Sequence, residues 1–217
     1  MKLLRETIRR LILESACDKT NSKISQAIEE LAVHNLKVQW HKSSDDFQIK
    51  IIPVGTLRPV AILAASSTGY SQCHSAFIVG HSEVLHPYKG KTGLGALIYD
   101  IAVELAGDKG LASDREFVSN DAVGMWQYFF SSGDYDKKPF DNEDGDFTPN
   151  DPTDDCEAKS YLEHGGEYGD EQEYFQSHPL NNVYYKKDQS QPTIACLKAR
   201  GLFQIPAYTP ERKRAAR

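Results

Sequence analysis

Hydrophobic positions along this chain follow two rhythms, one helical and one extended, and the switches between them mark the elements. Over Met1 to Ala16, Leu4, Ile8, Leu11 and Ile12 share one face while Arg5, Arg9 and Arg10 lie off it, which predicts an amphipathic helix. Ile24, Ala27, Ile28 and Leu31 repeat that spacing and predict a second helix from about Ser22 to Val33, with Asn21 or Ser22 as its N-cap. The rhythm then shortens to two. Leu36 to His41 and Phe47 to Ile51 alternate apolar and polar residues around the turn Ser43-Ser44-Asp45-Asp46, which predicts a hairpin. Arg58 to Ala65 and Ser75 to Val84 read as further strands. Beyond a glycine-rich loop the helical rhythm returns over Ala96 to Ala106, gives way to a short strand at Gly110 to Asp114, and resumes over Ser119 to Phe130. Asn182 to Lys187 and Thr193 to Leu197 read as returning strand and helix, or as two strands.

This order predicts an α/β (α+β) domain, in which a mixed, mostly antiparallel central sheet is flanked by helices. The longest apolar run, Val60 to Ala65, is far short of the roughly 20 residues that a membrane-spanning helix needs. Four cysteines, Cys17, Cys73, Cys156 and Cys196, are scattered without a C-x-x-C pair, and they read as reduced thiols in a cytosolic setting. The formal charge of −6 is uneven. Residues 134–180 form an acidic, glycine-rich excursion, whereas Arg212-Lys213-Arg214 makes the tail basic. An acidic middle argues against a nucleic-acid groove. Asp154, Asp155, Cys156, His164 and His178 lack the spacing of a zinc or calcium loop, so no metal site is expected.

Chemistry concentrates between Val84 and Trp126. The loop Tyr88-Lys89-Gly90-Lys91-Thr92-Gly93-Leu94-Gly95 opens a helix, where unpartnered amides and the helix dipole favour an anion. Glycines let that backbone come close to a ligand. A Walker motif is excluded, because its first glycine would fall at Leu85. A dinucleotide fingerprint is excluded as well, since it needs its loop in the first turn of a parallel sheet rather than after hairpins.

The order of elements, together with Val84-x-x-Pro87-x-Lys89-Gly90-Lys91-Thr92-Gly93-Leu94-Gly95-x-Leu97-x-Tyr99, resembles the GNAT N-acetyltransferase superfamily. There a strand, a pyrophosphate loop and a helix bind the phosphates of acetyl-CoA. A second match is Ser119-x-x-Ala122-x-x-Met125-Trp126, similar to a helix that in the family carries Asn, Ala and Tyr. The resemblance covers roughly Lys37 to Phe130. It implies acetyl-CoA as acyl donor, an unidentified primary amine as acceptor, and transfer by direct attack. Lys89, Lys91, Thr92, Gly93, Leu94 and Gly95 would hold the pyrophosphate, and Val84 and Leu85 the pantetheine arm, with Trp126 beside the coenzyme. An oxyanion donor is expected near Val84.

His81 and Glu83 alternate with Gly80 and Ser82 on the strand before the loop, so they share a face, and either is a candidate general base. The plain alternative is a pair of solvent-facing polar residues. Asp114-Arg115 forms a further polar cluster, read as an ion pair closing a strand. Two departures from the family pattern bear on activity. Gly90 stands where a basic residue is usual, and Trp126 where a tyrosine serves as general acid, while Tyr128 would face away on its helix. They favour a second reading, a catalytically weak or inactive GNAT-like binding or structural protein.

Four segments follow: 1–20 as an amphipathic helix, 21–133 as the acyl-CoA-binding core, 134–180 as the acidic excursion, and 181–217 as closing strands or helix with a basic tail. Met1 to Glu14, followed by Ser15-Ala16, resembles leader peptides cut after a Leu/Ile-x-Glu tripeptide in tailed bacteriophages, though an ordinary first helix explains it equally. The leader resemblance implies a protein of the host cytoplasm or packaged in a phage virion, with virion proteins as partners; a second copy of the chain is the other partner considered, and the short apolar runs and acidic middle argue against membrane and nucleic acid.

Overall fold

Asn21 explains where the first helix among the described residues begins. In the computed structural model, which describes residues 17–67, 75–90, 92–114, 117–140 and 178–204, its side-chain oxygen accepts from the Ile24 amide at 3.0 Å and caps α1, Ser22–Val33. The amide nitrogen of the same side chain donates to Tyr128 Oη and Asp134 Oδ2, both at 2.9 Å, which ties the helix start to distant chain. The helix read over Met1 to Ala16, with its leader motif, lies outside the described residues, as do Lys91, Arg115, residues 141–177 and the basic tail.

Among the described residues seven strands, numbered along the chain, form one mixed sheet in which the first five lie side by side in chain order, followed by the seventh and then the sixth. The expected hairpin is β1, Leu36–Lys42, against β2, Asp46–Pro53, and β3, Ala61–Ser67, and β4, Phe77–Val84, extend it antiparallel. Alternation decides the faces: Val38, Ile51, Ile49 and Leu63 are buried together, while the residues between them are more exposed. Next comes α2, Leu94–Ala106, followed by the two-residue strand β5, Leu111–Ala112, which pairs parallel with β4. Gly110 leads into β5 with φ +73°, and a Cβ there would come within 2.5 Å of Val183 Cγ1, so the position accepts only glycine. Helix α3 is Asn120–Ser131, with the Ser119 side chain accepting from the Ala122 amide.

Two strands close the sheet, β6, Tyr135–Pro139, and β7, Asn182–Lys186, and helix α4, Pro192–Ala199, follows. Of the open alternatives for the last segments, strand then helix is the outcome. β6 lies inside the stretch read as acidic excursion; its Tyr-Asp-Lys-Lys-Pro sequence carries charge because it is an edge strand, buried only at Tyr135. At the other edge Leu202 to Gln204 docks on β1 through Val38, and Phe203 stacks on Trp40 with ring centroids 3.8 Å apart.

α2 is the hub. Apolar around its circumference except at Tyr99, Asp100 and Glu104, it is buried between the sheet, α1, α3 and α4. Its two acids reach partners across that core. Asp100 accepts from Lys186, from the Tyr135 hydroxyl, and from the Thr193 hydroxyl at 2.5 Å. Glu104 accepts from the amides of Thr193 and Ile194, each at 2.9 Å, and so caps α4 from another helix.

The cysteine reading is corrected on one point. Cys17 and Cys196 are joined in a disulfide across 179 residues of sequence, so these two are not reduced thiols. No spacing rule signals the pair, because only the return of α4 beside residue 17 brings the sulfurs together.

Candidate functional site

β4 and β5 run side by side only briefly. Their parallel register holds Phe77 against Leu111 and Ile78 against Ala112 and then ends, while β4 continues alone on that edge to Val84. On the other edge β4 stays paired with β3, and the Leu85 amide donates to the Val60 carbonyl at 2.8 Å. Backbone groups of an antiparallel strand point alternately to its two neighbours, so the amides and carbonyls of Ser82 and Val84 face the open edge. Part way along, register slips from Ala64↔His81 to Ala65↔Val79, leaving Gly80 as the extra residue of a β-bulge.

Two cavities fill the gap between the parted strands. The larger, about 660 Å³, runs from Ser82, Glu83, Val84 and Leu85 along the loop to Gly93, Leu94, Gly95 and Ala96, with α3 opposite. The smaller, about 370 Å³, lies between the bulge and the segment after β5, lined by Gly80, His81, Asp114, Phe117 and Trp126. Ser82, Tyr99, Ser119 and Ala122 line both, so the two meet.

The loop end of the larger cavity is built as the sequence suggests. Gly93 is the N-cap of α2 at φ +69°, no side chain caps the helix, and the Leu97 amide bonds back to the Gly93 carbonyl at 3.0 Å. The amides ahead of Leu97 therefore head the helix where the dipole is positive. A Cβ on Gly93 would stand 3.2 Å from Ala27 Cβ, so glycine also seats the loop on α1. Thr92 turns inward instead, its hydroxyl donating to the Tyr88 carbonyl at 2.9 Å. Lys89 and Asp121 of α3 form an exposed ion pair at 2.5 Å, and both line the larger cavity.

His81 and Glu83 share a face, as expected, and both are exposed. They sit in register with Ala64 and Ile62, opposite the face where Ser82 and Val84 look toward α2. Asp114 accepts from the Phe117 amide at 3.3 Å and lines the smaller cavity.

Trp126 is 1% exposed in a cluster with Tyr99, Phe129 and Tyr184, contributing a wall of the smaller cavity. Tyr128 turns out of the site, bonded to Asn21 with the Lys23 ammonium over its ring. The residue that sequence reasoning passed over is Tyr99. Its hydroxyl bonds Ser82 Oγ at 2.8 Å, and burial pushes the phenol above its ordinary value while that hydrogen bond pulls it down. No pattern local to its helix signals this role, because the partner Ser82 lies in a strand seventeen residues earlier.

Among the described residues, no cluster of His, Cys, Asp and Glu could hold a metal ion, and no helix is long and apolar enough to cross a membrane. The fold these residues define is α+β, a mixed seven-stranded sheet with four helices and a cleft where two parallel strands part. Comparison with family models, with curated proteins and with solved structures finds no match.

Proposed function

We propose that this chain binds an acyl-coenzyme A, acetyl-CoA foremost, and transfers the acyl group to a primary amine, as its GNAT-like loop suggests. The observation that carries the reading is the open edge of β4 leading to the glycine-capped start of α2. An amide-bearing arm such as pantetheine satisfies a free strand edge as another strand would, and a pyrophosphate suits bare helix amides. Extended side chains alternate across a strand, so Glu83 and His81 approach a thioester at that edge from the face away from α2. Glu83, or His81, takes the amine proton directly or through water, and the attacking nitrogen forms a tetrahedral intermediate whose oxyanion is met by backbone amides of β4.

Thermal unfolding with and without ligand tests this. Acetyl-CoA at about 1 mM and a dissociation constant near 10 μM would add about 2.7 kcal/mol, or roughly 5–10 °C for a chain of this size. No rise with either acetyl-CoA or free CoA defeats the proposal. The alternative, a binding or packing module, is favoured by Trp126 in the aromatic core where the family has a tyrosine. Ligand-induced stabilisation with no release of thiol toward any amine would select it.

A further inference from the structure

With tryptophan at 126, transfer at this site lacks an acid from α3, yet a departing thiolate needs a proton. We infer that Tyr99, reaching in from α2 and held by Ser82, supplies it. This rests on the acyl-CoA reading above.

Position is the first argument. Tyr99 is the one described tyrosine that lines either cavity, and it lines both, at their junction. Its hydroxyl is held at 2.8 Å by Ser82, whose own backbone faces the open edge of β4. The acid thus lies on the α2 side of the strand, with Glu83 and His81 on the other side. The other tyrosines near the site are committed elsewhere: Tyr128 to Asn21, Tyr135 to Asp100.

Trp126 supplies the second argument. It meets the Tyr99 ring edge to face, centroids 5.5 Å apart at 88°, and Phe129 tilts against it at 6.2 Å. The ring is clamped, and its hydroxyl meets Ser82, which lines both cavities with it. A tyrosine at 126 would put its hydroxyl into this aromatic cluster. The exchange of roles between helices therefore accounts for both residues.

The chemistry balances. The amine nitrogen bonds to the thioester carbon and loses one proton to Glu83. The carbon–sulfur bond breaks with its electron pair on sulfur, and the Tyr99 proton passes to that sulfur to give free thiol. Ser82 keeps its proton and donates a hydrogen bond to the phenolate oxygen; Glu83 then releases its proton to solvent, and solvent returns one to Tyr99. An ordinary phenol and thiol ionise at roughly 10 and 8.5; burial moves Tyr99 above its ordinary value, and the Ser82 hydrogen bond offsets part of that rise.

The test compares the wild type with Tyr99→Phe and Ser82→Ala, using CoA, desulfo-CoA and acetyl-CoA with ethanolamine as acceptor. Tyr99→Phe should bind desulfo-CoA as the wild type does and CoA about 2- to 10-fold more weakly, because only CoA has the sulfur that the hydroxyl meets. Acyl transfer should fall about 100-fold. In Ser82→Ala the alkaline limb of the rate profile should move to higher pH, since the lost hydrogen bond had favoured the phenolate. Equal affinity changes for CoA and desulfo-CoA, or none for either, overturn the assignment, and so does full activity in Tyr99→Phe. A wild type that binds none of the three overturns the acyl-CoA reading itself.

Discussion

Gly93 and Gly95 stand two residues apart, but a methyl group added to each would meet different surroundings. At Gly93 it would face Ala27 Cβ at 3.2 Å on a backbone with φ +69°, so Gly93→Ala is expected to cost about 1–2 kcal/mol in denaturant unfolding. At Gly95 it would meet nothing nearer than Val84 Cγ2 at 3.9 Å, inside the helix and beside the cleft. Gly95→Ala should raise stability by about 0.5–1 kcal/mol and, on the proposed acyl-CoA reading, weaken CoA binding by calorimetry, because the methyl would then stand in the path of the phosphates. Stability and binding falling together in Gly95→Ala would contradict this. These glycines were legible in the sequence because each answers to its own loop. Tyr99 was not, since its role depends on Ser82 in a strand seventeen positions earlier, and nothing local to α2 marks it as facing a cleft.

Between elements, the polar joint of α2 with α4 is where pH should be felt. Burial raises the Glu104 carboxyl from 4.5 to about 7 and the Asp100 charge adds to it, against the Ile194 and Thr193 amides and Lys186. A carboxyl raised on folding contributes stability that is complete below about 4.5 and is lost as pH rises through 7. The stability advantage of the wild type over Glu104→Gln should therefore shrink between those values, by an amount on the order of 3 kcal/mol. Melting curves at a series of pH values give the difference directly, and parallel curves would refute it. The helix and hairpin boundaries were readable because caps and alternation are local; β6 was missed because an edge strand of five residues rich in charge has no period to read.

At the scale of the whole molecule, the Cys17–Cys196 disulfide ties the start of the described chain to its last helix. Closing a loop of 179 residues removes enough unfolded-state freedom to contribute about 5 kcal/mol. Cys17→Ser, or reduction of the wild type, should lower the melting temperature by roughly 10–20 °C; an unchanged value would mean that the bond adds nothing to stability. The sequence alone determined the order of elements from α1 to α3, the hairpin, the glycine loop at the start of α2 and the shared face of His81 and Glu83, because periodicity, caps and turns act over a few residues. Tertiary structure decided what joins across the chain: the disulfide, the Glu104 cap on α4, and the cleft itself. That cleft exists because β4 and β5 pair for two residues and then part, a relation between residues 34 positions apart in the chain that neither strand encodes by itself.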